Sequence, residues 1–255
     1  MQTEQRVNRR YLGAEVVTVL LVSFGMSGIY ALLSLIRAEL TIKGGIAGAT
    51  ATVVASPHTQ HPWLDFADAL ADVLNGIAPA FLALVLLWRS PGGPGIGIGL
   101  DRRRPGRDVL QALGFAALIG IPGLGLVYAA HVLGLNASLE VTNVPDVWYR
   151  LPLLVLHAVE SGTAEEVVVL AFLLTRFAQM GWRRETALIT QATIRGSYHL
   201  YQGFGGFIGN FVMGLIFGWW FQRSRRVWPL LGAHVLLDTA SFVGYTYLHP
   251  YIHWI

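Results

Sequence analysis

Long apolar runs separated by arginine-dense or glycine-rich connections make up the pattern of this chain. Seven runs are legible, near residues 12–36, 66–88, 109–134, 148–177, 186–200, 207–221 and 227–248. A helix needs roughly 20 apolar residues to cross the hydrocarbon of a bilayer, and most of these runs reach that length. The fifth and sixth are shorter and contain several glycines, so their ends are the least sharply marked. The first follows Arg6, Arg9 and Arg10 as a secretory signal would. It is too long for a signal core and no small-residue cleavage site closes it, so it reads as a retained span. The expected fold class is all-α, a polytopic transmembrane bundle of seven helices, or eight with one re-entrant segment.

The connections sort by charge. Arg6/Arg9/Arg10, Arg89 with Arg102/Arg103/Arg104/Arg107, Arg176/Arg183/Arg184 and Arg223/Arg225/Arg226 fall on one side. The loops 37–65, 135–147 and 201–206 fall on the other and carry few basic residues. Because basic loops stay in the cytoplasm, the chain is expected to be a multi-pass cell-membrane protein with a cytoplasmic N-terminus and an external C-terminus. An eighth span would flip the C-terminus. The stretch Ser90, Pro91, Gly92, Gly93, Pro94, Gly95 reads as a cytoplasmic linker. It divides a two-span region, 1–100, from a helical block, 101–255. The polar loop 41–62 has room for a short surface helix. Trp148, Tyr149 and Trp254 sit at span ends, as interfacial aromatics do.

Composition narrows the class further. Of 255 residues 54% are hydrophobic and 13% charged, where a soluble domain devotes about a quarter to charge. Cysteine is absent, which excludes disulfides and thiolate ligands. A net charge of +3 gives no footprint for nucleic acid.

Against this apolar background several side chains stand out. A charge at the centre of an isolated span costs about 2.5–3.5 kcal/mol on insertion scales. Yet the fourth run holds His157, Glu160, Glu165 and Glu166, the fifth Arg195 and His199, the sixth Asn210, and the seventh His234 and Asp238. Measured from the nearest basic flank at ~1.5 Å per residue, Glu165 lies roughly 16 Å into the membrane, His199 roughly 22 Å, and His234 and Asp238 roughly 12 and 18 Å. Three helices thus offer polar groups at one depth. Arg195/His199 and His234/Asp238 are each four apart and share a face. Glu165 and Glu166 are adjacent and diverge by about 100° on an α-helix, so one is expected to face the cluster while its neighbour reaches Arg195.

Two acids and two imidazoles in low dielectric are acid/base machinery. A desolvated glutamate can take a proton from water, and histidines can hold that water, bind a metal or donate to an oxyanion. Asp238 would steady the His234 ring. His157 and Glu160, nearer the outer surface, read as helix-to-helix hydrogen bonds. Asn210, beside Gly209 and ahead of Gly214 and Gly218, also fits small-residue helix packing, and Arg195 also fits a plain counter-ion.

The run from Glu165-Glu166 to Arg176, then Arg195-Gly-Ser-Tyr-His199, then His234-Val-Leu-Leu-Asp238, resembles the CPBP family. That family comprises CAAX proteases and bacteriocin-processing membrane proteins, including the type II CAAX prenyl endopeptidases. The resemblance covers about 148–247. It implies a bundle of mostly eight helices, a site open to bilayer and cytoplasm, and endopeptidase chemistry. It assigns water activation to Glu165, with Glu166 as its neighbour and His199 and His234 as the histidines of the second and third motifs. Glu165, His199 and His234 could bind Zn or hold water without a metal, and the sequence leaves both readings open.

Three departures follow from the resemblance. Leu170 stands where the first motif carries arginine, Arg195 where the second opens with phenylalanine, and Asp238 where the third ends in asparagine. An arginine lost from one helix and gained on the next would restore the same counter-charge. An ionised Asp238 accepts a hydrogen bond but donates none.

The expected function is therefore an intramembrane endopeptidase acting near the cytoplasmic leaflet on a membrane-associated peptide, with the bilayer as its other partner. The alternatives are a catalytically silent scaffold or immunity-type protein on the same fold, and a small proton-coupled transporter. The lack of a repeated half argues against the transporter.

Overall fold

The computed structural model describes residues 9–55, 61–89, 97–249 and 251. The expected linker at 90–95, Arg6 and Trp254 lie outside the described residues. Two short strands aside, the regular elements are helical. The first run is two helices, α1 (Arg9–Leu21) and α2 (Phe24–Thr41), bent by 50° at a short break. Helix α3 (Pro62–Trp88) and helix α4 (Pro105–Val132) each open with a proline in the first turn, where the missing N–H costs nothing.

The fourth run is one continuous helical rod in three parts: α5 (Arg150–Ala164), a π-helical segment (Glu165–Phe172) and α6 (Leu173–Gln179). Then come α7 (Arg184–Ser197), α8 (Phe204–Ser224) and α9 (Trp228–Leu248). Among the described residues three helices, α3, α4 and α8, are long and apolar enough to cross a membrane, and the bent α1–α2 pair would make a fourth. Together with the family reported below, these helices mark a membrane protein. The rod and α9 carry the ionisable residues, which dilute their hydropathy. With 14 residues, α7 is about 21 Å long, too short to cross alone.

The two classes of connection gather at opposite ends of the bundle. At the arginine-poor end a strand β1 (Thr50–Val54) pairs in parallel with a strand β2 (Ser138–Thr142), and Thr52 Oγ1 donates to Glu140 at 2.6 Å. The loop 41–62 has room for a short surface helix. It forms a 3₁₀ turn (Gly45–Gly48) and then β1. Asn136 bridges to Gly203, and the Gly205 N–H donates to Asn136 Oδ1, so all three arginine-poor loops touch. At the other end Arg226 clasps Asp108 with Nε and Nη2 and reaches Asp101 with Nη1. The Asp101 carboxyl is held below its usual value by the Arg103 N–H and by Arg226. Arg176, fully buried, donates to the Leu86 carbonyl and pairs with Glu15 at 2.7 Å.

Between these ends runs a core built on the rod. Residues 166–173 are all within 1% of full burial, packed with Phe217, Phe221, Val227 and Leu230 at 0%. A helix apolar all round is the expected consequence of a central position.

Candidate active site

The π-helical segment begins at the paired glutamates. A π turn holds more residues than an α turn, so neighbours diverge less than the roughly 100° of the α geometry. Even so, Glu165 faces the cavity while Glu166 reaches Arg195, the division expected from the sequence. Arg195 Nη2 lies 2.6 Å from Glu166 Oε1 and 3.2 Å from Glu165 Oε2, so both meet one guanidinium.

Two close helix approaches bring the other side chains in. A Cβ added at Gly162 would sit 2.9 Å from Val235 Cγ2 and 3.5 Å from His234 Cβ. Only a glycine lets α9 lie so near α5 at that level. Gly214 does the same for α8 and α7, where an added Cβ would be 2.9 Å from Ala192 Cα. The small-residue contacts expected of α8 thus exist, and they set the position of Arg195.

His234 Nδ1 is 2.8 Å from Glu166 Oε1 and 2.9 Å from Arg195 Nη2. Whether that nitrogen donates to the carboxylate or accepts from the guanidinium, Nε2 is the one left for the cavity, with Asp238 Oδ2 3.5 Å away. His199 follows the last turn of α7, and its Nδ1 meets the Arg195 carbonyl at 3.0 Å. A carbonyl only accepts, so Nδ1 carries the proton. The lone pair of Nε2 then faces Glu165 Oε1 across 3.9 Å.

The two oxygens of Glu165 therefore differ. Oε2 accepts from the Tyr198 hydroxyl at 2.8 Å and from Arg195. Among the described residues, Oε1 has the His199 nitrogen opposite it and no hydrogen-bond donor. Tyr198 escaped the sequence reading. It lies one residue before His199, and its ring is held 4.7 Å from Phe24.

These groups border a cavity of about 480 Å³. Glu165, His199, His234 and Asp238 line it, whereas Glu166 and Arg195 lie behind its wall at 0% exposure. Asn210 also lines it, and its side-chain amide donates to the Gly206 carbonyl of its own helix. His157 and Glu160, 3.6 Å apart, also border the cavity, and the Glu160 carboxylate lies against Gly76 of α3. Arg195 Nε and Nη1 and Glu166 Oε2 find no hydrogen-bond partner among the described residues. A buried charge left partly unpaired costs more than packing returns, which argues against a purely structural origin for the cluster.

Zinc does not fit this arrangement. Arg195 Nη2 is within 3.2 Å of Glu165 Oε2 and His234 Nδ1, so those two donor atoms are already taken up by a cation. Nor do any three histidine, aspartate or glutamate side chains among the described residues converge as a ligand set. Metal ligands must offer free, deprotonated donors to one point.

Residues 147–240 match the family described as Type II CAAX prenyl endopeptidase Rce1-like. This block belongs to the CPBP family. The match spans the rod, α7, α8 and the part of α9 bearing His234 and Asp238, so every CPBP motif recognised in the sequence falls inside it. The family so described is one of endopeptidases and implies a protease at a general level. No curated protein and no solved structure matches the chain.

Proposed function

We propose that the protein is a multi-pass intramembrane endopeptidase that hydrolyses a membrane-associated peptide through water activated by Glu165. The observation that carries this reading is the unequal dress of the Glu165 carboxylate. Oε2 is held by Tyr198 and Arg195, while Oε1 faces the His199 lone pair across 3.9 Å at the cavity wall. A gap of that length between two acceptors suits one water molecule donating to both.

In the reaction, Glu165 Oε1 removes a proton from this water as its oxygen attacks the scissile carbonyl carbon. His199 Nε2 orients the water. The tetrahedral oxyanion forms within reach of His234 Nε2, which donates to it. Glu165 then passes the proton to the amide nitrogen, the C–N bond breaks, and the new carboxyl gives its remaining proton to the amine, so that a carboxylate and an ammonium group leave. Glu166 touches no substrate. Its work, with Arg195, is to position His234 and to balance the charge of Glu165. Asp238 braces the far side of the His234 ring, and Asn210 completes the wall. No step uses a metal.

The test is a cleavage assay with the purified protein in lipid against a peptide library, read by mass spectrometry. General-base catalysis contributes about 10²–10⁴-fold. Glu165→Gln and His199→Ala should each lose activity on that scale while remaining folded, and strong chelators should leave the wild type unchanged. Equal turnover in wild type and Glu165→Gln would end the hydrolytic reading.

A further inference from the structure

The cavity has a direction. Its walls include Val53 and Val54 of β1, Leu139 and Val141 of β2, and Tyr201 and Gln202 of the turn after α7. All of these belong to the arginine-poor end of the bundle. Among the described residues, none of the arginine-rich connections lines it. Beneath the glutamates, towards that basic end, residues 166–177 and their partners Phe217, Phe221, Val227 and Leu230 are buried to within 3%. The reactive carboxylate has solid protein on one side and the strand pair above the cavity on the other.

Charge gives this direction its meaning. Apart from buried Arg195, the basic residues away from the arginine-rich end are Arg37, Lys43 and Arg150, against fourteen at or before the other set of connections. The bias that holds basic loops in the cytoplasm puts the solid side inward and the strand pair outward.

We propose that the active site is reached from the extracytoplasmic side, beneath β1 and β2, and that its substrate is a peptide segment at the outer membrane boundary. This departs from the cytoplasmic opening that the family resemblance implies. The identity of the bound segment as a substrate rests on the hydrolytic reading above, whereas the route into the cavity does not.

The chain has no cysteine, so single cysteines can be placed without further change. Val53→Cys marks the strand above the cavity, and Ser161→Cys marks its wall one helical turn from Glu165. Arg103→Cys, at the arginine-rich end, reports the opposite face. Each full-length variant is treated with a membrane-impermeant maleimide in intact cells and in inverted membrane vesicles. Val53→Cys and Ser161→Cys should be modified in intact cells, and Arg103→Cys only in inverted vesicles. The reverse pattern overturns the proposal. So does a Ser161→Cys that is modified from neither face, because the glutamate beside it would then have no aqueous route from the strand side.

Repeating the labelling with Glu165→Gln added separates the two readings. Outward labelling with cleavage indifferent to Glu165→Gln leaves the route standing and removes the protease. Loss of cleavage in Glu165→Gln with labelling only from the cytoplasmic face does the opposite.

Discussion

Arg195 is the residue on which the site's geometry turns, because one of its nitrogens meets Glu165, Glu166 and His234 together. Breaking a buried ion pair by removing one partner costs about 3–5 kcal/mol, because the remaining charge stays buried. Arg195→Met should therefore lower thermal stability in lipid or detergent by that order. Adding Glu166→Gln to Arg195→Met should recover a large part of it, since the stranded charge is then gone. The exchange with position 170 can be tested in the same series. Leu170 is fully buried four residues after Glu166 on the same rod. If the arginine has moved between helices, Arg195→Phe should be destabilised and the double variant Leu170→Arg/Arg195→Phe should regain stability. A double variant worse than the sum of its parts would show that the two positions do not share a counter-charge. Much of this residue-level picture was visible beforehand, since each ionisable side chain stood out against an apolar run. Tyr198 was not. A tyrosine near a span end is ordinary interfacial furniture, and only the folded geometry shows its hydroxyl on Glu165.

Between elements, glycine decides how closely the helices carrying these residues approach. At Gly162 the α5–α9 contact leaves no room for a side chain, and His234 is one of the nearest neighbours. Overpacking such a contact costs typically 1–3 kcal/mol, and a displacement of about 1 Å at a catalytic group can cost 10²-fold in rate. Gly162→Val should thus depress cleavage far more than it depresses stability, whereas Gly106→Val, at a position with nothing within 4 Å, should leave both nearly unchanged. Comparable rates in the two variants would show that the α5–α9 spacing does not set the His234 position. The sequence pattern told helices from connections well, yet three features at this scale eluded it. The π-helical segment has no marker in a run of valines and leucines, since widening a turn changes hydrogen bonding rather than polarity. The break between α1 and α2 leaves the apolar run intact. The two strands are five residues each, too short to show a period, and their pairing joins loops 88 residues apart.

For the molecule as a whole, the block that carries the family motifs does not enclose its own site. Phe24 and Ser27 of α2 help to wall the cavity, and the Phe24 ring lies 4.7 Å from Tyr198, the partner of Glu165. Glu15 of α1 and the Leu86 carbonyl of α3 are two of the groups that hold Arg176, the buried residue at the inner end of the rod. The match to the family starts only at residue 147, so these supports lie outside it and come from a region whose sequence announces nothing beyond its spans. A cut within the glycine- and proline-rich stretch 90–95 separates the two parts at a point where composition favours a linker. Residues 97–255 expressed alone should insert yet show no cleavage, because the α2 wall is missing and Arg176 has lost two partners. Co-expression with residues 1–96 should restore activity, since independently inserted helices can associate laterally through packing and polar contacts. Restoration would mean that α1–α3 complete the active site as wall and counter-charge. Full activity of 97–255 by itself would make them accessory, and the contacts to Tyr198 and Arg176 would then be packing alone.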